Sequence, residues 1–265
     1  MQNCILSETL FHSKHPDGPH SMGILIGDDS NRISLHGNLL AHCNGRNPQI
    51  AGGNLIDVRN NVIYNWGDYA ALFKSPGNRI NFVANYYKAG PNTDLTWTPT
   101  AIKLHDDVGG MRLFIEDNID PVCPNGDEDN WDMLVWMSDL PVKDRSMRLH
   151  QVLHHPRVTT EAADTVYVDV LVNAGATRPE RDAIDARIVG DVQNGTGLII
   201  DSPTDVNDWI DLWKKTPPTD TDHDGMPDSW ERSHRLDPAD PADGAEDRDR
   251  DGYTNVEEYL DTLAG

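Results

Sequence analysis

The chain has 265 residues, 44 acidic against 22 basic side chains, and a formal net charge of −22 at pH 7. A charge this negative argues against a nucleic-acid partner, since binding phosphates requires clustered Lys and Arg. Hydrophobic residues make up 37% of the chain, mean hydropathy is −0.58, and no apolar run reaches the roughly 18 residues that a membrane-spanning helix needs.

The N-terminus shows no signal-peptide pattern, because strand-like sequence follows Met1 without a charged segment or a long apolar run. We expect the chain to begin inside a repeat and to be a fragment of a longer secreted protein. The three cysteines are odd in number and lack metal-ligand spacing, and for Cys4 at least we favour a buried thiol.

A six-residue pattern recurs in the first half of the chain: apolar, any, apolar, any, any, Asn. The steps between its asparagines are 23, 24 and 33 residues. One short strand per repeat and a period in the low twenties indicate a parallel solenoid, although unrelated strands of a sandwich are the alternative. The copies are Ile33, Leu35 and Asn38; Ile56, Val58 and Asn61; Ile80, Phe82 and Asn85; and Leu113, Ile115 and Asn118.

The repeated asparagines are expected to stack. Asn tolerates left-handed backbone at a turn and bonds locally, so we predict a ladder of Asn side chains along the coils. The register of the repeats also places His36 and Arg59 side by side on one outer wall, where cationic and polar groups would suit an extended anionic polymer. The longer third step predicts a loop between coils.

Beyond the repeats the pattern changes. Residues 121–157 are irregular, and we expect them to form a long excursion over the side of the solenoid. We predict a helix over Glu161–Asn173, a second helix opened by a capping box of Thr177 and Glu180, and a short third helix over Asp205–Lys214. The predicted domains are an all-β solenoid over 1–157, a helical segment packed on it over 158–215, and a tail over 216–265.

The tail carries 11 Asp and 4 Glu against 4 Arg from residue 220 onward, a net charge of −11. Two twelve-residue stretches place oxygens at positions 1, 3, 5, 9 and 12 with Gly at 6, which is the EF-hand pattern for Ca²⁺. We expect position 7 to contribute only a backbone carbonyl; an acidic disordered tail is the alternative. The predicted ligands are Asp220, Asp222, Asp224, Met226, Asp228 and Glu231, and Asp247, Asp249, Asp251, Tyr253, Asn255 and Glu258.

Four segments carry a resemblance to a known family. They are SMGILIG from Ser21, HGN from His36, RNP from Arg46, and VRNNVIYN from Val58. With these segments the chain resembles the pectate lyases, which are right-handed parallel β-helix enzymes that cleave pectate by calcium-assisted β-elimination. The resemblance implies a secreted or periplasmic enzyme that acts on polygalacturonate, and we expect a monomer.

The resemblance also assigns roles to residues. Arg46 matches the arginine that takes the C5 proton, and His20 matches a family histidine that we expect to contact substrate. His36 and Arg59, placed on one wall by the repeat register, are further expected substrate contacts. Two family positions differ, because Met22 stands where a Lys is common and Ala51 where a second Arg is common. The resemblance also implies that the family's catalytic calcium ligands sit mostly in a stretch upstream of Met1.

Two other functions fit the sequence. A β-helix glycoside hydrolase would need two carboxylates flanking the scissile bond, for which Asp28-Asp29 and Asp106-Asp107 are the candidates. A calcium-dependent carbohydrate-binding module without catalysis would explain the departure at Met22.

Overall fold

The computed structural model describes residues 1–27, 29–52, 55–96, 100–126, 128–178, 180–207 and 216–264. The chain divides into two compact units. The first consists of Met1–Thr177 and Arg181–Trp209, and the second of Arg178–Glu180 and Ile210–Gly265.

The strands of the first unit form three parallel sheets, and successive strands along the chain pass from one sheet to the next. Sheet I contains β3 (Ile33–His36), β6 (Ile56–Arg59), β9 (Arg79–Val83) and β12 (Arg112–Glu116). Sheet II contains β1 (Ile5–Ser7), β4 (Leu39–Ala41), β7 (Val62–Tyr64) and β10 (Tyr86–Lys88). Sheet III contains β2 (Leu25–Ile26), β5 (Gln49–Ile50), β8 (Ala71–Phe73), β11 (Ile102–Leu104) and β13 (Leu134–Trp136). The predicted parallel β-helix is confirmed.

The repeat pattern fixes both the register and the core. Ile56 lies opposite Ile33 on one side and Ile80 on the other, so equivalent repeat positions stack along sheet I. Because alternate strand residues face opposite sides of a sheet, the two apolar positions of each repeat point inward. The core inside the coils includes Leu35, Ile50, Ile56, Val58, Phe73, Ile80, Phe82, Ile102, Leu113 and Ile115.

The predicted asparagine ladder is present. The Nδ2 of Asn38 donates to the Oδ1 of Asn61 at 2.8 Å, and the same bond joins Asn61 to Asn85 and Asn85 to Asn118, each at 2.9 Å. A fifth residue that the repeat pattern did not include, Asn130, accepts from Asn118 at 3.0 Å. All five side chains are buried, so the ladder satisfies amide groups that water does not reach.

The predicted position of the left-handed residue in each turn was wrong by one residue. The left-handed residue is the one before each ladder asparagine: Gly37, Asn60, Ala84 and Asp117 have φ angles of 66°, 56°, 52° and 55°. The ladder asparagine therefore owes its place to its amide, which bonds along the stack, and its neighbour takes the unfavourable backbone conformation.

The excursion predicted for residues 121–157 is in part a further coil. A 3-10 turn over Asn130–Met133 leads into β13, which pairs with β11 in sheet III. Trp131 is buried inside, and its Nε1 donates to a backbone carbonyl at 3.0 Å. Only the later part covers the solenoid, where the backbone of Leu153 bonds to the side chain of Asn81 on the outer face of sheet I at 2.8 and 3.0 Å.

Two helices cover the outer face of sheet II. Helix α1 (Ala163–Asn173) confirms the first predicted helix, and α2 (Ala183–Asn194) follows it. The capping box predicted for α2 was wrong, because Asp182 is the N-cap and its side chain accepts from the backbone amides of Ile184 and Asp185 at 2.8 and 2.9 Å. The predicted helix over Asp205–Lys214 overlaps a 3-10 turn, Pro203–Val206, and its residues from 208 onward lie outside the described residues.

The second unit contains the acidic tail. Helix α3 (Asp228–His234) and helix α4 (Asn255–Ala264) each begin at position 9 of one acidic loop, and a 3-10 turn, Asp243–Ala245, lies between them. Trp230 stacks on His234 at 3.9 Å and meets the Tyr259 ring edge-on at 5.4 Å. Among the described residues, no helix combines the length and the apolar character needed to cross a membrane.

Candidate functional site

Arg46 lies in the turn that leads from sheet II to sheet III, between β4 and β5. Its backbone is left-handed, with φ 60°, and its carbonyl accepts from the amide of Ile24 at 2.7 Å. The preceding residue, Gly45, forms a parallel bridge with Met22 of the coil below. Arg46 is therefore held from its own turn and from the neighbouring coil, and its half-buried side chain starts from a fixed backbone position.

Aromatic side chains of the two adjacent coils interact electrostatically with Arg46. The Tyr69 ring, from the coil above, lies against Gly45, and burial raises the pKa of Tyr69 although the neighbouring Arg46 opposes this shift. His20, from the coil below, has its pKa lowered first by burial and then by His15 and Arg46. The rings of His15 and His20 stack at 3.7 Å. The buried Nε of Arg46 has no hydrogen-bond partner among the described residues, which leaves one donor direction unused.

A polar cleft occupies the same edge of the coils. Its lining includes Asn44, which precedes Arg46 by two residues, and Asp68, which directly precedes Tyr69. The Nδ2 of Asn44 donates to the Oδ2 of Asp68 at 2.7 Å. A Cβ atom at Gly67 would collide with the Asn44 amide, so a larger residue there would displace that side chain. The other lining residues are Phe11, Asn92, Asp94, Ile199 and Asp201.

His36 and Arg59 are neighbours on sheet I, as their register predicted. Arg46, by contrast, precedes a strand of sheet III, so the structure does not bring the three side chains to one sheet. The guanidinium of Arg59 is already engaged, because it bonds to Asp57 by two nitrogens and to the Thr160 hydroxyl at 2.7 Å. His36 lines a separate cleft with residues 157–159 and Glu161, and burial lowers the pKa of His36.

The two tail loops have the same internal hydrogen bonds. In the first loop, the carboxylate at position 1, Asp220, accepts from the amides of positions 4 and 6 at 2.7 and 3.2 Å. In the second, Asp247 accepts from the equivalent amides at 2.6 and 3.0 Å. The glycines at position 6, Gly225 and Gly252, have φ angles of 101° and 103°. The loops thus share one backbone shape, as their matched sequences predict.

That shape gathers carboxylates at both loops. Oxygens of Asp220, Asp222 and Asp224 lie within 4.8 Å of one another, and so do those of Asp247, Asp249 and Asp251. Such sets of oxygens suit a hard cation, with Ca²⁺ taking six to eight of them. These clusters contain predicted ligands at positions 1, 3 and 5 of each loop.

The remaining predicted ligands differ between the loops. Glu231, at position 12 of the first loop, is fully buried, and burial together with the surrounding carboxylates raises its pKa to about 7. Glu258, its equivalent, has one buried oxygen without a partner and the other 4.0 Å from Arg248. Met226 is buried, whereas Tyr253 at the same position is exposed.

Position 9 is Asp228 in the first loop and Asn255 in the second. The Asp228 carboxylate accepts from the Thr221 amide and hydroxyl and from Arg232, at 2.8 to 2.9 Å. Asn255 is buried, and its Oδ1 has no partner among the described residues. The Asn255 oxygen is therefore available to a cation, while both oxygens of Asp228 are in use.

Sequence reasoning missed two residues at these sites. Tyr69 belongs to no copy of the repeat and reaches Arg46 only because adjacent coils stack. Asp243 lies outside both twelve-residue loops, yet one of its oxygens is within 4.8 Å of oxygens of Asp224 and Glu231. The acidic spacing DPADPADGAED around Asp243 was visible, but it matches no ligand pattern.

The chain matches several fungal proteins along almost its whole length. It is 30% identical over 270 residues to the "probable pectate lyase C" of Aspergillus flavus and 30% identical to that of Aspergillus oryzae, and 29% identical to that of Aspergillus terreus. Each match covers 99% of this chain and 59% of the relative. No model of a known protein family matches the chain. Over nearly all its residues, then, the chain is similar to proteins named probable pectate lyase C, and it spans about 59% of their length.

Proposed function

We propose that this chain is the Arg46-bearing part of a polysaccharide lyase that cleaves polygalacturonate by β-elimination. The observation that carries the proposal is the position of Arg46 in the turn between sheets II and III, on the same edge of the coils as the polar cleft lined by Asn44 and Asp68. The similarity to fungal proteins named probable pectate lyase C supports the same reaction. A secreted or periplasmic location follows from the same similarity as part of the proposal.

In this reaction the proton on C5 of a uronate passes to the nitrogen of Arg46 as the C4–O bond breaks. The C4–C5 double bond forms, and the departing oxygen takes a proton from solvent. Arginine is ordinarily protonated, so only its neutral guanidine form, which becomes more populated as pH rises, can accept this proton. Calcium bound to the uronate carboxylate would make the C5 proton more acidic and would offset the developing negative charge. Activity is therefore expected to rise at alkaline pH.

The ligands of that catalytic cation are not among the clusters described above. All three groups of possible metal ligands in the described chain lie in the tail, away in sequence from Arg46. Of the proposed substrate contacts, His20 is the one whose pKa shift shows an electrostatic interaction with Arg46. Contacts of His36 and Arg59 with substrate remain predictions for the separate surface on sheet I.

The lyase proposal is tested with the longest natural form of the protein that contains this chain. Unsaturated product is followed by its ultraviolet absorbance on polygalacturonate, with and without a calcium chelator. Arg46→Lys and Arg46→Ala should lower the rate about 10²- to 10⁴-fold, the usual effect of losing a proton-transfer group. Arg79→Lys, at an exposed position on sheet I, is the matched control and should retain the wild-type rate.

The alternatives give different results in the same assay. Full product formation by Arg46→Ala would overturn the proposed role of Arg46. New reducing ends without a double bond would indicate a hydrolase; of its candidate carboxylates, Asp106 and Asp107 are exposed after β11, and Asp28 lies outside the described residues. Polymer binding without turnover would indicate a carbohydrate-binding module.

We also propose that each tail loop binds one Ca²⁺. The support is that the two loops share their backbone hydrogen bonds and that buried oxygens of Asp222, Asp224 and Glu231 lack partners among the described residues. Calorimetric titration of the chelator-treated chain with CaCl₂ should give two sites. Asp222→Asn should weaken the first site and Asp249→Asn the second. A wild-type chain that takes up no Ca²⁺ would favour the disordered-tail alternative.

A further inference from the structure

Buried carboxylate oxygens without hydrogen-bond partners surround the first tail loop, and one of them belongs to a residue outside its twelve positions. Neither carboxylate oxygen of Glu231 has a hydrogen-bond partner among the described residues, and the same holds for one oxygen each of Asp222, Asp224 and Asp243. Uncompensated carboxylates are costly to bury, so side chains that keep their oxygens together without protein partners indicate a cation-binding site.

Asp243 belongs to this group although it lies twelve residues beyond Glu231. It opens the 3-10 turn Asp243–Ala245 and is more than nine-tenths buried. Its Oδ2 accepts from the Asp237 amide at 2.9 Å, which fixes the side chain, while its Oδ1 is the unpaired oxygen. One oxygen of Asp243 lies within 4.8 Å of oxygens of both Asp224 and Glu231.

The turn that carries Asp243 is fitted to the first loop. A Cβ atom at the next residue, Gly244, would collide with the carboxylate of Asp224. Glycine at this position therefore allows the turn to lie against the loop. If Asp243 only stabilised its own turn, its hydrogen bond to the Asp237 amide would be explained. The buried, unpaired Oδ1 of Asp243 and the close approach of Gly244 to Asp224 would remain unexplained.

The residue that the EF-hand pattern assigns to position 9, Asp228, is committed elsewhere. One of its oxygens accepts from the Thr221 amide, and the other accepts from the Thr221 hydroxyl and from Arg232. A cation in the loop would have to compete with these bonds for Asp228, whereas the Oδ1 of Asp243 carries no such bond.

We propose that Asp243 is a ligand of the first tail site and takes the place that the loop pattern gives to Asp228. The site would then join the loop to a turn that follows α3, so that binding the cation also fixes the segment between the two loops. This inference rests on the proposed binding of Ca²⁺ by the tail.

The test compares Asp243→Asn with Asp228→Asn in the full chain. Both are carried in the Asp249→Asn background, which weakens the second site, so that the tighter binding in the titration is that of the first loop. Asp243→Asn should weaken binding about tenfold or more, since losing a charged ligand lowers the affinity of such sites. Asp228→Asn should change affinity by no more than about threefold, because its bonds are structural.

Melting of each variant in chelator separates ligation from folding. Asp243→Asn removes one buried charge next to Asp224 and Glu231, so without metal it should melt no lower than its parent. The inference is overturned if Asp243→Asn binds as tightly as its parent, if Asp228→Asn loses as much affinity as Asp243→Asn, or if Asp243→Asn melts lower in chelator. Absence of Ca²⁺ uptake by the wild-type chain would instead remove tail binding itself, and the Asp243 assignment with it.

Discussion

Replacing Asn85 with Ala should break the ladder at its centre. The Asn85 side chain accepts from the backbone amide and the Nδ2 of Asn61, at 3.1 and 2.9 Å, and donates to Asn118 at 2.9 Å and to the Val58 carbonyl at 3.1 Å. Four hydrogen bonds are lost, each with a net value of about 1 kcal/mol. Their donors and acceptors stay buried, so we expect the free energy of unfolding to fall by about 4 kcal/mol, a large share of the ordinary 5 to 15 kcal/mol.

The measurement is urea unfolding followed by far-ultraviolet circular dichroism, with Ca²⁺ present throughout. Asn38→Ala, nearer the end of the ladder, removes three side-chain bonds and should cost less than Asn85→Ala. Asn194→Ala, an exposed residue with one bond to Gly190, should change stability by no more than about 0.5 kcal/mol. A loss below about 1 kcal/mol for Asn85→Ala would show that the ladder contributes geometry without stability.

Three further outcomes follow from the structure. Burial lowers the pKa of His42, so below about pH 6.5 the unfolded chain binds a proton at this histidine more readily than the folded chain does. In urea unfolding, wild-type stability should therefore fall faster than that of His42→Asn as pH drops from about 7.5 to 5.5. Parallel curves for the two proteins would contradict this. Asn255→Asp keeps a ligand oxygen but removes the 2.7 Å bond from Asn255 to the Asp243 carbonyl, which connects the two loops. Calorimetry should still find two sites, but Ca²⁺ at one site should change the affinity of the other less than in the wild type. An unchanged effect of one site on the other would contradict this role of the bond. Asp182→Ala removes the N-cap of α2 and should cost about 1 kcal/mol on thermal unfolding, with no loss if water replaces the cap.

The β-helix could be predicted because its information is local and repeated. Ile56, Val58 and Asn61 define one coil, and near-constant spacing carries the definition to the next. Asn130 was missed because it follows Asn118 by only twelve residues, so the last rung comes from a segment that breaks the period. The left-handed residue was misplaced because sequence does not separate the residue that bends the backbone from the one that bonds along the stack.

The Arg46 site was predictable only in part. Arg46 itself came from a resemblance, but nothing in the repeat pattern indicated Tyr69 as its partner, since the two residues come from different coils. Their meeting depends on how the loops between sheets II and III align, and those loops vary in length. The same limit applies to Arg59. Its position beside His36 follows from the repeat register, whereas its hydrogen bond to Thr160, about a hundred residues later in the chain, could not be predicted.

The tail shows where local and tertiary information divide within a single site. Positions 1, 3 and 5 of each loop are set by hydrogen bonds inside the loop, so both sequences predict the same shape, and both have it. Position 9 is different, because its side chain begins a helix and competes for neighbours: Asp228 is taken by Thr221 and Arg232, while Asn255 keeps its oxygen free and donates to the Asp243 carbonyl. A loop that loses a ligand in this way needs an oxygen from outside its own twelve residues. Asp243 is placed to provide it, and its carbonyl already bonds to the second loop, so the residue that completes one site also touches the other.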